Sequence, residues 1–434
     1  MEKGFTMGQA MAEAQRCLLC HEPPCSVGCP ASTDPGRFIR QMRMLNLKGA
    51  ARTIKRNNPL GGVCAVLCPD CDLCGGKCTV MGLDRPVEIG KIQRFLVEHA
   101  WEIGFAPQDA VRSNRVKVAV VGAGPSGLTA AAELARAGFC VTVFERMAKP
   151  GGMLRYAIPA HRLSEQFLDR EVEEIRALGV TFECGRAVTG PDALQALLAD
   201  GYRAVYLATG AWKAQRMRLP GSDLPDVVDA LGFLKEAREQ PSKLRKRVKG
   251  RNVAVVGGGD TAMDAAMTAS LMSAADVSVV YRRSFLEMPG SQVEKMAALR
   301  KGIHFLMLTQ PMEYLSAGGK LSGMRLVRDR LGAADATGRR KPEPIPGSEH
   351  TVPVDFVVEA VGFLCESASG QFKGIEVLEG NRVKADGLTG ETGAARVFAG
   401  GDAVRGPSLV SHAVCDGKKA AAAIRKMLQG EVTP

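Results

Sequence analysis

Val116-Lys117-Val118-Ala119-Val120-Val121 runs into Gly122-Ala123-Gly124-Pro125-Ser126-Gly127 and then into the alanine- and leucine-rich stretch Leu128 to Ala137. A short apolar, β-branched run, a glycine turn and a helical run form the opening unit of a dinucleotide-binding fold. The first glycine permits the tight turn, the second lets a pyrophosphate approach the backbone, and the third lets helix and strand pack closely. Alone the fingerprint is weak. Here a second strand pattern, Cys140-Val-Thr-Val-Phe144, ends in Glu145, 23 residues past Gly122, where a carboxylate can bind an adenosine ribose hydroxyl.

The same unit recurs. Asn252-Val-Ala-Val-Val256 leads into Gly257-Gly258-Gly259-Asp260-Thr261-Ala262, a helical stretch through Ala275 and a strand pattern from Val277 to Val280, so one chain is expected to bind two dinucleotides. At the ribose position the second copy has Tyr281-Arg282-Arg283, 24 residues past Gly257, and no acid. Arginines there suit a 2'-phosphate and favour NADPH over NADH. The competing reading is two solvated surface arginines. Val397-Phe-Ala-Gly-Gly401-Asp402 precedes a helix starting near Ser408. By composition this is a turn; in two-dinucleotide flavoproteins it is the closing FAD motif, with the aspartate on the ribityl chain. Val205-Tyr-Leu-Ala-Thr-Gly210 and Val357-Val-Glu-Ala-Val-Gly362 mark where the chain passes between the two nucleotide domains.

Ahead of these units the chain is rich in cysteine: nine of its 13 cysteines fall between Cys17 and Cys78. Cys17, Cys20, Cys25 and Cys29-Pro30 form a C-x2-C-x4-C-x3-C-P run; Cys64, Cys68-Pro69, Cys71, Cys74 and Cys78 form a second group. No signal-peptide pattern opens the sequence, so a disulfide framework is disfavoured. Zinc would want four nitrogen or sulfur ligands per site, and only His21 lies in this stretch. Thiolates alone, with a Cys-Pro closing a short-spaced run, point to two [4Fe-4S] clusters. Zinc and inert buried thiols are the rival readings. Phe38 to Leu45 and Ala50 to Ile54 carry apolar residues at helical spacing, which predicts a small helical domain.

At 434 residues, roughly 150 residues per domain gives about three domains. The expected architecture is α/β: a helical two-cluster iron-sulfur domain over 1–108, then two Rossmann-like domains, the FAD domain over 109–249 and 360–434 and the NADPH domain over 250–359. A hydrophobic fraction of 46% with 24% charged residues excludes a disordered chain. No apolar run reaches the ~18 residues of a membrane span, so a cytoplasmic protein is expected. Of the net charge of +11, over half comes from Lys243, Arg245, Lys246, Arg247, Lys249 and Arg251, read as a solvated linker, with the docking of an acidic partner as the alternative. Aromatics make up 5%, with no basic stripe interleaved with rings, so nucleic-acid binding has little support.

Cys17-Leu-Leu-Cys-His-Glu-Pro-Pro-Cys25, Asn57-Asn-Pro-Leu-Gly61, Cys68-Pro69, Ile89-Gly-Lys-Ile-Gln93, Gly257 to Asp264 and Gly400-Gly-Asp402 together carry a resemblance over residues 17 to about 428. The chain resembles the electron-input half of the dihydropyrimidine dehydrogenase family, and the small subunit of glutamate synthase is similar in layout. The resemblance implies that Cys17, Cys20, Cys25 and Cys78 hold one cluster and that Cys29, Cys68, Cys74 and Gln93 hold the other, leaving Cys64 and Cys71 spare. Dihydropyrimidine dehydrogenases have glutamine where Gln93 stands; glutamate synthase small subunits usually have glutamate. The resemblance further implies Gly151, Gly152 and Met153 near the FAD pyrophosphate, Arg162 on the flavin side, Leu409 and Val410 at the closing helix, and Ala360 and Gly362 facing the nicotinamide nucleotide. Pro289 stands where the NADPH-using dehydrogenase has a third basic residue. No catalytic side chain is expected, because hydride transfer needs no protein nucleophile. Cys140, Cys184, Cys365 and Cys415 are scattered, which argues against a thioredoxin-reductase mechanism. Pyrimidine reduction in that family needs an FMN-bearing (β/α)8 domain of roughly 250 residues, and 32 residues follow Asp402. The implied partner is therefore a separate FMN-containing catalytic subunit or, in the alternative, a glutamate synthase large subunit.

Overall fold

The computed structural model describes residues 3–106, 114–334, 338–366 and 372–431. The chain divides into two compact units, one of Met1–Arg155, Ala160–Ala211 and Leu364–Pro434, the other of Tyr156–Pro159 and Trp212–Phe363.

The first unit opens with helices and no strand among the described residues up to 106. Each start is written in the sequence. Thr6 and Gln9 form a capping box for Met7–Gln15, Asp34 caps Pro35–Arg43 ahead of a proline, and Asn46 caps Leu47–Asn57. Their apolar faces, with those of Gly61–Leu67 and Ile89–Glu102, bury Phe38, Ile39, Met42, Ile54, Ile92 and Leu96. Cys17, Cys25, Cys74 and Cys78 pack against this core from the short connections. At roughly 2 kcal/mol per buried large side chain such a core is modest.

The rest of this unit is a five-stranded parallel sheet in the order Val397–Ala399, Tyr202–Leu207, Lys117–Val121, Cys140–Glu145, Thr181–Cys184. Val118 to Val121 are buried, as a two-sided parallel strand requires. The long helix Val410–Glu431 returns to pack on Pro125–Arg136, where Gly417 is needed: a Cβ there would stand 2.4 Å from the Ser126 carbonyl oxygen.

The second unit repeats the plan. Its parallel sheet runs Val227–Asp229, Phe356–Glu359, Asn252–Val256, Asp276–Tyr281, His304–Met307. Strand Val227–Asp229 hydrogen-bonds to Phe356–Glu359. Residues 212–249, expected with the FAD domain, therefore belong to the second unit, and the boundary falls at Trp212. The strand ending at Leu207 and the strand ending at Glu359 each precede a change of unit. An antiparallel sheet of Thr309–Ala317, Lys320–Ala334, Arg340–Pro344 and His350–Val352 is inserted before the last strand.

The basic run is solvated but helical rather than a linker: Lys243, Arg245, Lys246 and Lys249 are exposed. It forms the helix Pro241–Val248, with Leu244 and Val248 fully buried; Arg247 pairs with Glu236 at 2.6 Å and Arg251 with Asp226 at 2.9 Å. Among the described residues no helix is long and apolar enough to cross a membrane.

Candidate cofactor sites

In the first unit the glycine turn has the form its spacing predicts. Gly122 sits at φ +104°, and a Cβ there would lie 2.4 Å from the Ala208 carbonyl oxygen. A Cβ on Gly127 would lie 2.0 Å from the Gly122 oxygen, so the third glycine is the one that lets helix meet turn. A Cβ on Gly124 would meet nothing within 4 Å, and the helix it opens has no side-chain cap. Ala123, Gly124, Pro125 and Ser126 thus frame an open helix N-terminus, which suits a pyrophosphate. Glu145 ends the second strand nearly buried, accepting from the N–H groups of Ala123 and Met147 at 2.8 Å each.

Two further segments close over this turn. The Gly151 N–H donates to the Ala123 oxygen at 2.8 Å, and a Cβ on Gly152 would lie 2.7 Å from the Gly124 Cα, with Met153 next in line. Gly401, at φ +67°, rests on the first turn of Pro125–Arg136: its Cβ would stand 2.8 Å from the Ser126 Cβ. Asp402 follows, half-buried, with a Ser408 N–H on its carboxyl; desolvation and the Asp416 charge push its pKa up to about 7. Leu409 and Val410 lie half-buried at the start of the closing helix. Arg162 lies in the turn before Glu165–Arg176, beside His161, which burial and then the Arg162 charge hold down at about 4.

In the second unit the plan is the same. Gly257 sits at φ +145°, and its Cβ would lie 2.3 Å from the Ala360 oxygen, as Gly122 lies against Ala208. A Cβ on Gly258 would strike the Tyr281 ring at 2.5 Å, while Gly259 faces open space and opens Asp260–Leu271 with no side-chain cap. Thr261 is in that first turn. Gly290 and Ser291 cover the turn through Gly290 N–H to the Gly258 oxygen at 2.9 Å and Ser291 N–H to Asp260 Oδ1 at 2.7 Å. Gly362, at φ +117°, is exposed just past Ala360.

The two arginines part company. Arg282 is exposed beyond the second strand, whereas Arg283 is buried and donates from Nε to the Arg340 carbonyl at 2.7 Å. One cation is therefore presented outward, and the other ties the strand end to the antiparallel insertion.

The cysteines gather in two sets. Cys17, Cys20, Cys25 and Cys78 line one cavity, floored by Pro24 and Val80. Burial and the neighbouring Cys17 and Cys78 push the Cys25 thiol up to about 11, as crowded thiols without a cation must behave. Arg43 and Arg40 donate to the carbonyls of Cys17 and Cys20 at 2.6 and 3.2 Å, fixing the loop. In the second set, Cys74 feels Cys29 and Cys68 and is raised mainly by burial. Cys29 Sγ accepts from the Thr33 N–H at 3.4 Å. The side chains with ligating atoms that line the first cavity are thiols, the donor set an iron-sulfur cluster takes.

Gln93 is buried on Ile89–Glu102 and donates from Nε2 to the Gly61 oxygen at 2.6 Å. That bond fixes the amide and leaves Oε1 as the acceptor. Cys64, expected to be spare, is buried with its thiol directed at Cys68. Cys71 stands apart beside Asp70 and Asp72. The Asn57-Asn-Pro-Leu-Gly61 motif is explained by its contacts: Asn58 Nδ2 donates to Thr33 Oγ1 at 3.1 Å and Asn57 Nδ2 to the Thr33 carbonyl at 3.3 Å, tying the Cys29 loop to the Gly61–Leu67 helix. Ser411, which sequence reasoning passed over, buries its hydroxyl with no conventional partner and faces Cys68.

Two glycine-turn sheets and a thiol-lined helical domain define a pyridine-nucleotide flavoprotein with an iron-sulfur module. Residues 1–105 match the family described as dihydropyrimidine dehydrogenase domain II, 4Fe-4S cluster, and residues 116–417 match pyridine nucleotide-disulphide oxidoreductase. The chain belongs to the pyridine nucleotide-disulphide oxidoreductase family, in the branch that carries this iron-sulfur domain. It is 36% identical over 98% of its length to the glutamate synthase [NADPH] small chain of Escherichia coli K12, covering 93% of that protein. It is equally 36% identical over 98% of its length to the NAD-dependent dihydropyrimidine dehydrogenase subunit PreT of the same strain, covering 96%. In fold it is similar to Mycobacterium tuberculosis FprA in complex with NADPH, with a TM-score of 0.62 at 20% identity over 73% of this chain and 85% of that one. The chain is an FAD-type, NAD(P)H-dependent oxidoreductase with a 4Fe-4S domain, and relatives named as subunits imply a partner subunit.

Proposed function

We propose that this chain is the electron-input subunit of an NAD(P)H-dependent dihydropyrimidine dehydrogenase, in which Cys17, Cys20, Cys25 and Cys78 hold one [4Fe-4S] cluster and Cys29, Cys68, Cys74 and Gln93 the other. The observation that carries the reading is Gln93: its amide is locked by the Gly61 carbonyl so that Oε1 is the atom left to complete a three-thiolate set. A glutamine there is the residue associated with the pyrimidine enzymes.

When bound, FAD exchanges a hydride with the nicotinamide and the clusters accept electrons singly, so that a two-electron donor serves one-electron carriers. The chain's own residues bind and orient. The open N-termini after Gly124 and Gly259 receive the two pyrophosphates, Glu145 the adenosine ribose, and Asp402 the ribityl chain. Arg282 meets the 2'-phosphate of NADPH, and Arg283 holds the strand end that presents it. The partner is a separate FMN-containing subunit.

Reconstitution tests the choice. The holoprotein is mixed with an FMN-bearing dihydropyrimidine dehydrogenase subunit or with a glutamine-cleaving glutamate synthase large subunit, and NADPH oxidation is followed with uracil or with glutamine plus 2-oxoglutarate. Uracil-dependent oxidation with the first partner is expected. Glutamate formation with the second alone would replace this reading by the glutamate synthase one.

A further inference from the structure

The Gly61–Leu67 helix carries Cys64 and ends on Cys68, yet it starts without a side-chain cap of its own, for Leu60 occupies that position. Its first amides are taken up by a residue 109 positions away: Gly62 N–H donates to Glu171 Oε1 at 2.7 Å and Val63 N–H to Glu171 Oε2 at 2.8 Å. Glu171 stands on Glu165–Arg176, a helix of the flavin-type fold, and is completely buried. Its charge is matched by Lys55, also buried, whose ammonium bonds Glu171 and reaches Glu174 Oε2 at 2.5 Å. Gly62 is glycine for this approach, since a Cβ would come within 2.9 Å of both Glu171 Oε1 and the Phe167 ring. At its other end the helix presents Cys68 to Ser411, one residue past Leu409 and Val410. Lys418, further along that closing helix, donates to the Ala31 and Asn57 carbonyls at 3.0 and 2.8 Å.

A buried ion pair is poor value as a source of stability, because desolvation offsets most of the attraction; what it does well is enforce one arrangement. We propose that Glu171 is a positioning residue that holds the Cys64–Cys68 helix at a fixed station beside the flavin-closing helix and thereby sets the rate at which electrons pass from flavin to the cluster that Cys68 would ligate. The inference rests on the electron-input reading above. Tunnelling falls steeply with distance, so a small relaxation of this helix is felt in rate before it is felt in fold.

The test uses anaerobic holoprotein and the Glu171→Gln variant, with Glu174→Gln as control. Glu174 shares Lys55 but does not touch the Gly61–Leu67 helix amides. In Glu171→Gln, iron and flavin content should match wild type, and amide exchange at Gly62 and Val63 should accelerate. Flavin bleaching by NADPH should keep its rate, while the following cluster reduction, read by freeze-quench electron paramagnetic resonance, should slow by about tenfold. Glu174→Gln should leave cluster reduction within about twofold of wild type on the same scale. Faster amide exchange with an unchanged cluster rate would make Glu171 merely structural and overturn the proposal, as would equal slowing in both variants. If Glu171→Gln fails to assemble, the apolar pair Lys55→Met with Glu171→Leu removes the buried charges together; a wild-type cluster rate there overturns the proposal as well. Wild-type clusters that NADPH never reduces would instead defeat the electron-input reading itself.

Discussion

Arg282 and Arg283 are neighbours in sequence with different duties, and substitution should separate them. A charged hydrogen bond contributes roughly 1.5–3 kcal/mol, so Arg282→Ala should lower kcat/KM for NADPH at least about tenfold and leave NADH nearly untouched. Arg283→Ala strands a buried contact to the Arg340 carbonyl and should cost about 1–3 kcal/mol of stability, seen in thermal melts, whichever nucleotide is present. Asp402 gives a pH prediction. Its folded pKa of about 7 lies above the ordinary 3.8, so between those values the folded chain holds a proton that the unfolded chain has released. The stability of flavin-free protein should therefore fall as pH rises from about 4 to about 7 and level off above, and Asp402→Asn should flatten that slope while weakening FAD retention. Among the thiols, Cys17→Ser should release about half of the roughly eight irons expected for two [4Fe-4S] clusters, and Cys71→Ala almost none. Equal losses in both, measured by iron analysis, would contradict the grouping.

The elements show which features a linear reading reaches. Both strand–glycine–helix units were legible because their signals are local: β-branched runs, glycines at fixed offsets, and for the first unit an acid at the end of the next strand. The helical nature of the cysteine domain was legible for the same reason, in Phe38 to Leu45 and Ala50 to Ile54. The antiparallel insertion was not, since Lys320–Ala334 gains its meaning only from partners on both edges. The helix in the basic run was not legible because charge dominates its composition, while the two residues that place it, Leu244 and Val248, are a turn apart and inconspicuous. Lys55 and Glu171 are 116 residues apart, and no periodicity announces such a pair. At this scale Gly122→Ala is the sharp test. The added methyl would lie 2.4 Å from the Ala208 oxygen at a left-handed φ, so the turn must shift. A cost of about 1–3 kcal/mol and loss of bound flavin on gel filtration are expected, with NADPH affinity in the second unit unchanged.

For the whole molecule, the two nucleotide sheets share one plan, down to the paired contacts of Gly122 with Ala208 and Gly257 with Ala360, and the cysteine domain is fastened to the first of them by Lys55, Glu171 and Lys418. That division of labour is a claim about what the chain does by itself. The most direct measurement takes rigorously purified, anaerobic holoprotein and follows NADPH oxidation with ferricyanide or a viologen as acceptor and, separately, with uracil. The account predicts rapid oxidation with the artificial acceptors, and no dihydrouracil until an FMN-containing partner is added. Dihydrouracil formed by the single chain, or failure of NADPH to drive the artificial acceptors, would contradict it.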